Sequence, residues 1–110
     1  MKIIIIGLGL IGGSIAKQLI SKQEMTILAY DSNKNSIQNA LNKSNIHGAI
    51  AHLNDLQLPE YENSLIVIAT PPKVSLEILR SLSPLFNSSI TITDTSSIKL
   101  PAEIILNEFN

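Results

Sequence analysis

With 110 residues the chain suits a single domain spanning 1–110 and leaves no room for two ordinary ones. Apolar residues make up 45% of it and charged residues 15%, which excludes a disordered tail; the net charge of −1, with scattered basic residues, excludes an electrostatic footprint for nucleic acid. The absence of cysteine excludes disulfides, thiolate nucleophiles and cysteine-based zinc sites, and is compatible with the cytoplasm, the expected compartment.

The opening MKIIIIGLGLIGGSIA sets one lysine before an apolar run and small residues, the outline of a secretory signal peptide. The run is too short for a membrane span, which needs about 20 apolar residues. Three glycines at fixed spacing are also foreign to a simple hydrophobic segment, so no membrane association is expected. Residues 3–6 form an unbroken β-branched run, read as a strand buried on both faces, as a parallel sheet requires. A glycine loop follows, then a helix over 14–22 with Ile15, Ala16, Leu19 and Ile20 at helical spacing. Residues 25–30 read as a second strand, closed by Asp31-Ser32-Asn33, with Asn33 as N-cap of a helix over 34–41. Gly48-Ala49-Ile50 makes a very short third strand. Residues 54–63 are polar, contain Pro59, and read as a loop with one helical turn. Residues 64–70 form another buried strand ending at Pro71-Pro72. Residues 74–85 carry Leu76, Leu79, Leu82 and Leu85 at a helical period, with Pro84 ending the helix proper. A strand over 90–93 and a closing helix over 101–109, with proline in its first turn, complete the order.

Strands alternating with helices imply right-handed crossovers and an α/β fold. The expected form is a Rossmann-type doubly wound parallel sheet of order 3-2-1-4-5, its crevice at the carboxyl ends of strands 1 and 4. The sequence stops where a sixth strand is due, so the sheet is expected to be truncated there, with no C-terminal helical domain.

Gly7-Leu8-Gly9-Leu10-Ile11-Gly12 fits G-x-G-x-x-G, follows a strand, opens a helical pattern and has Asp31 about 20 residues further on. Gly7 permits the tight turn out of the strand. Gly9, without a Cβ, lets a pyrophosphate approach the backbone, and Gly12 with Ala16 lets the helix lie close on the sheet. The amides from Leu10 to Gly12 then face the phosphates from the positive end of the helix. At the end of strand 2, Asp31 accepts hydrogen bonds from ribose hydroxyls and repels a 2′-phosphate; Lys34 is the nearest cation and no arginine stands nearby. The expected cofactor is NAD rather than NADP. No metal site is expected.

Two distal segments, Ala69-Thr70-Pro71-Pro72 and Thr93-Asp94-Thr95-Ser96-Ser97-Ile98-Lys99, lie where strand ends open onto the crevice and would face the nicotinamide half of the cofactor. Taken with GLGLIGGS and the aspartate ending strand 2, ATPP and TDTSSIK make the whole chain resemble the N-terminal domain of the prephenate/arogenate dehydrogenases. Related proteins carry D-x-x-S-x-K in the last segment; Ser96 stands here where glycine is common. The resemblance implies NAD-dependent oxidative decarboxylation of prephenate or arogenate in tyrosine biosynthesis. It also implies that Ser97 is a catalytic residue bonding the substrate hydroxyl, with Lys99 supporting the loop or the substrate's charge. From the residues alone, Ser97 serves equally as a helix cap, Asp94 as an acceptor for loop amides, and Lys99 as a surface lysine.

The family's proton-accepting histidine, in an H-P-M-A-G-like segment after a sixth strand, and its helical C-terminal domain have no counterpart in residues 1–110. His47 and His52 lie on the wrong edge for that role and read as surface or loop residues. Catalysis is therefore expected to need a longer parent chain or a separate polypeptide. Two other classes share the glycine loop. A 3-hydroxyacid or imine reductase is set apart by TDTSSIK, and a non-enzymatic nucleotide-sensing module by the acidic residue it carries after strand 3, where this chain has His47-Gly48-Ala49-Ile50.

Overall fold

Four consecutive isoleucines leave the first strand no polar face to show to water. In a computed structural model of the protein, describing residues 1–85 and 89–95, that strand lies in the middle of a five-stranded sheet. β1 (Lys2–Ile6) pairs with β2 (Thr26–Tyr30) on one side and β4 (Leu65–Ile68) on the other, while β3 (Gly48–Ala49) and β5 (Thr91–Asp94) are the outer strands. All four pairings are parallel and the order is β3-β2-β1-β4-β5, as expected for a Rossmann-type doubly wound sheet.

Side chains alternate across a strand, so β1 feeds two cores. Ile3 and Ile5 pack with Ala16 of α1 (Leu10–Leu19), Ala40 of α2 (Lys34–Asn42), Ile27, Ala29 and Val67. Ile4 and Ile6 pack on the opposite face with Ile66, Ile68, Leu56 and Ile78 of α3 (Pro72–Ser81). Each fully buried isoleucine contributes roughly 1.5–3 kcal/mol of transfer free energy, which makes β1 the anchor of both layers.

Several boundaries differ from the sequence pattern. α1 begins at Leu10 rather than residue 14, because Gly12 and Gly13 lie inside its first turns, where the apolar period is silent. It ends at Leu19 rather than 22; Ile20 is the cap, and the Lys22 amide turns back to the Leu19 carbonyl. α3 starts at Pro72, where the missing N–H is one that no intrahelical acceptor would take. Pro84 falls in a separate 3-10 turn, Ser83–Leu85. Of the four spaced leucines, Leu76 is 52% exposed, whereas Leu82 and Leu85, just past the helix, are buried together with Ser75 and Ile78 within it. Residues 54–63 contain two 3-10 turns, Leu53–Gln57 and Pro59–Tyr61, and the first plants Leu56 fully in the core. Asn33 caps α2 as expected, its side chain accepting from the Asn35 amide at 2.9 Å. The helix expected over 101–109 lies outside the described residues. Among those residues no helix is long and apolar enough to cross a membrane.

Candidate functional site

β1 leaves the sheet toward α1 on one face and β4 toward α3 on the other, so their carboxyl ends part and a crevice opens between them. The ladder continues one residue past β1 on each side: the Gly7 amide donates to the Tyr30 carbonyl and the Ala69 amide to the Ile6 carbonyl, both at 2.8 Å. Gly7 then turns at φ +100°, a conformation L side chains rarely adopt. A Cβ there would also lie 2.7 Å from Thr70 Cγ2 and 2.9 Å from the Ala69 carbonyl oxygen. At Gly12 a Cβ would overlap the Gly7 carbonyl oxygen outright and sit 3.1 Å from Ala69 Cβ, which is the close helix–sheet contact expected of this position. At Gly9 a Cβ would meet nothing within 4 Å among the described residues. That open space is what a diphosphate lying on the loop requires.

α1 starts from Gly9 with no side-chain cap, so its first amides face outward. The Gly13 amide is taken by the Gly9 carbonyl at 2.9 Å, while the amides of Leu10, Ile11 and Gly12 have no acceptor among the described residues. Three donors thus converge at the positive end of a helix, the arrangement that holds an anion. Asp31 flanks them. One carboxylate oxygen accepts the Leu8 amide at 2.7 Å and the other the Asn33 amide at 2.8 Å. A carboxylate has about four lone-pair sites, so each oxygen keeps room for a further donor.

Cavities line up along the crevice. One of about 460 Å³ is walled by Gly9, Leu10, Ile11, Ala69, Thr70, Pro71, Pro72, Ser75 and Thr95. A second of about 160 Å³ lies between Asp31 and α3, with Gly7, Thr70, Val74 and Ile78 in its wall. A third, of about 480 Å³, extends from Asp31 toward β3 past Lys34 and His52. The structure therefore brings Gly7, Gly9, Leu10, Ile11, Asp31, Ala69, Thr70, Pro71 and Pro72 to one crevice. Gly12 supports it from beneath, and Leu8 joins it through its amide. Asp94 stands opposite Ile68 at the end of β5, and the next residue, Thr95, reaches the cavity wall. Ser96, Ser97 and Lys99 lie outside the described residues.

The sequence pattern had no signal for Ser75 or Leu53, which reach the walls only because α3 starts two residues early and a 3-10 turn folds back. His47 is exposed and outside the strands, as its reading as a surface or loop residue has it, and its Nδ1 in addition accepts the Ile27 amide at 2.9 Å beside the β2 edge.

Residues 2–96 match the family model described as NADP oxidoreductase, coenzyme F420-dependent. The chain belongs to this family. Among solved structures, the prephenate dehydrogenase of Aquifex aeolicus with hydroxyphenyl propionate and NAD+ is 27% identical, over 86% of this chain and 32% of its own, with a TM-score of 0.73. The arogenate dehydrogenase of Synechocystis is 26% identical over 99% of this chain and 39% of its own, with a TM-score of 0.68. The 3-hydroxyacyl-CoA dehydrogenase of Archaeoglobus fulgidus, at 21% identity and a TM-score of 0.60, shares the fold. The chain spans about a third of the length of the prephenate dehydrogenases it matches. The resemblance to prephenate/arogenate dehydrogenases is borne out. So is a nicotinamide dinucleotide as the cofactor class, both in the family description and in the NAD+-bound relative.

Proposed function

We propose that the chain binds NAD across the β1/β4 crevice as the dinucleotide-binding part of a prephenate/arogenate-type dehydrogenase. The observation that carries this is the pairing of three amides at the mouth of α1, without an acceptor among the described residues, with the part-filled carboxylate of Asp31. The amides of Leu10, Ile11 and Gly12 hold the diphosphate, and Asp31 receives the hydroxyls of the adenosine ribose. The family description names NADP, but Asp31 is the charged group at the sugar, and the only arginine of the sequence, Arg80, sits in the last turn of α3, away from the crevice. A 2′-phosphate would meet repulsion there, with only Lys34 beside it.

Bound NAD supplies a hydride acceptor at nicotinamide C4, and the substrate class is a cyclohexadienol whose ring loses hydride and carbon dioxide, prephenate or arogenate. Pro71, Pro72 and Thr95 wall the cavity beyond the diphosphate and orient that half of the ligand. Ser97, two residues past Thr95, is the proposed partner of the substrate hydroxyl. The chain covers about a third of the matched dehydrogenases, so we assign completion of the substrate pocket to a longer parent chain or a separate polypeptide. We therefore expect residues 1–110 alone to bind cofactor without turnover. The cytoplasm is the compartment this function implies.

Calorimetric titration with NAD, NADP, FAD and coenzyme F420 tests the proposal. NAD binds best in the expected outcome, and Gly9→Ala, which meets no neighbour among the described residues, keeps the melting temperature while losing at least about tenfold in NAD affinity. NADP binding more tightly than NAD refutes the role of Asp31. Preference for FAD or F420 removes the dehydrogenase assignment.

A further inference from the structure

β3 is two residues long, and its pairing with β2 covers only Leu28↔Gly48 and Ala29↔Ala49. So short a strand, with glycine in it, specifies its own register weakly. Ile46 and Ile50 anchor its flanks in the two cores, but apolar burial is non-directional and holds a segment down without fixing its hydrogen bonds. His47 supplies the direction. Its amide donates to the Ile27 carbonyl at 2.8 Å, and its Nδ1 accepts the Ile27 amide at 2.9 Å. One residue thus takes both backbone groups of Ile27. In a regular ladder a strand carbonyl accepts that amide, and here an imidazole does.

We propose that His47 is a positioning residue for nucleotide binding: by occupying the Ile27 amide it holds β3 in register, and β3 carries part of the cavity wall beside Asp31. This rests on the dinucleotide reading above, which puts the adenosine sugar at Asp31. Directly after His47 and Gly48, the chain runs into Ala49, Ile50 and Ala51, which share the wall of the cavity of about 480 Å³ with Asp31 and Lys34. An adenosine held at Asp31 has that wall for a neighbour. His47 is not part of the wall, so its influence passes through β3 alone. Molecules in which β3 leaves its register lack the wall, and affinity falls in proportion to the fraction that keep it.

The test titrates wild type, His47→Ala and His47→Asn with NAD and with ADP, well below the melting temperature of each. Asparagine carries its side-chain oxygen where histidine carries Nδ1, so it can accept the same amide. His47→Ala is expected to weaken NAD and ADP by the same factor, about three- to tenfold, because both ligands carry the adenosine. His47→Asn restores most of that loss. In the ligand-free protein, the amide resonances of Ala49, Ile50 and Ala51 shift in His47→Ala while those of Leu10, Ile11 and Gly12 stay. Should His47→Ala fail to fold, His47→Gln, whose amide oxygen stands one bond further out, is read in its place. Wild-type affinity in His47→Ala overturns the proposal even if its melting temperature falls, since His47 then serves the fold alone. A His47→Asn variant no better than His47→Ala overturns it, as does a loss of NAD larger than that of ADP, or an equal shift of the Leu10 to Gly12 amides. Wild-type protein that binds neither ligand refutes the dinucleotide reading itself.

Discussion

Two adjacent glycines in the first turns of α1 answer differently to one added methyl group. Alanine in place of glycine inside a helix gains about 0.5–1 kcal/mol, at Gly12 and Gly13 alike. At Gly13 the new methyl would lie 3.6 Å from the Leu8 carbonyl oxygen, an ordinary contact, so the gain stands. At Gly12 it would overlap the Gly7 carbonyl oxygen, with the Gly7 carbonyl carbon at 3.0 Å and Ala69 Cβ at 3.1 Å. None of these atoms is the free end of a flexible side chain. Relief requires α1 to lift from β1 and β4, and overpacking of this kind costs about 1–3 kcal/mol, with rigid backbone placing it in the upper part of that range. Gly12→Ala is therefore expected to lose about 1–2 kcal/mol net, while Gly13→Ala gains about 0.5–1 kcal/mol.

For a domain of this size a difference of about 2 kcal/mol corresponds to roughly 10 °C in melting temperature. Thermal and urea melts followed by circular dichroism read it directly, and equal urea slopes confirm that both variants unfold from the same state. Gly12→Ala also tilts the amides of Leu10 to Gly12 and loses NAD affinity, which Gly13→Ala keeps. If Gly12→Ala melts with Gly13→Ala or above it, the close helix–sheet contact at this loop is wrong.

Three other perturbations follow from groups away from the crevice. His47→Ala strips the Ile27 amide of its acceptor and is expected to destabilise the fold by about 0.5–1.5 kcal/mol, with faster hydrogen exchange at Ile27; unchanged exchange there would contradict the bond. Ser64 is 2% exposed and its hydroxyl has no partner among the described residues, so Ser64→Ala is expected to be neutral or to stabilise by up to about 1 kcal/mol in a urea melt. A clear loss of stability would mean that the hydroxyl is satisfied. Burial, with smaller contributions from Glu60 and Asp55, lifts the Tyr61 phenol above its ordinary value. The folded state thus holds this proton more tightly, and that share of stability is present below the usual phenol range of about 10 and is lost as pH rises through the raised value. In a Tyr30→Phe background, which leaves Tyr61 as the sole tyrosine, alkaline absorbance titration should give an inflection above the free phenol's; one at or below it would oppose the assignment.

The sheet was legible because its signals are local and redundant. An isoleucine run buried on both faces, a glycine loop and an aspartate about 20 residues on each point to the same parallel architecture, and β1 to β5 fall in the expected order. Asp31 and ATPP were legible for the same reason, since strand ends define the crevice wherever the strands are known. What escaped depends on geometry that residue types do not announce. Glycine carries no apolar signal, so α1 seemed to start after Gly12 instead of at Leu10. A period of three drifts against a face that repeats every 3.6 residues, so Leu76 is exposed and Ser75 turned inward although Leu82 and Leu85 reach the core. Leu56 and His47 sit in stretches too polar to look structural, yet one fills the core and the other completes a strand edge.

Each helix that meets the crevice is tied to it by a polar contact already made before any ligand arrives. The Asp31 carboxylate holds the loop into α1 through the Leu8 amide and the entry to α2 through the Asn33 amide. Asn33 in turn caps α2 at Asn35, and Ser75 binds the start of α3 back to Thr70. Folding therefore covers the entropy of ordering these groups, and a ligand need not. What remains unpaired among the described residues is lone pairs on Asp31 beside the N–H donors from Leu10 to Gly12. A sugar hydroxyl next to a phosphate presents the complementary donor and acceptors.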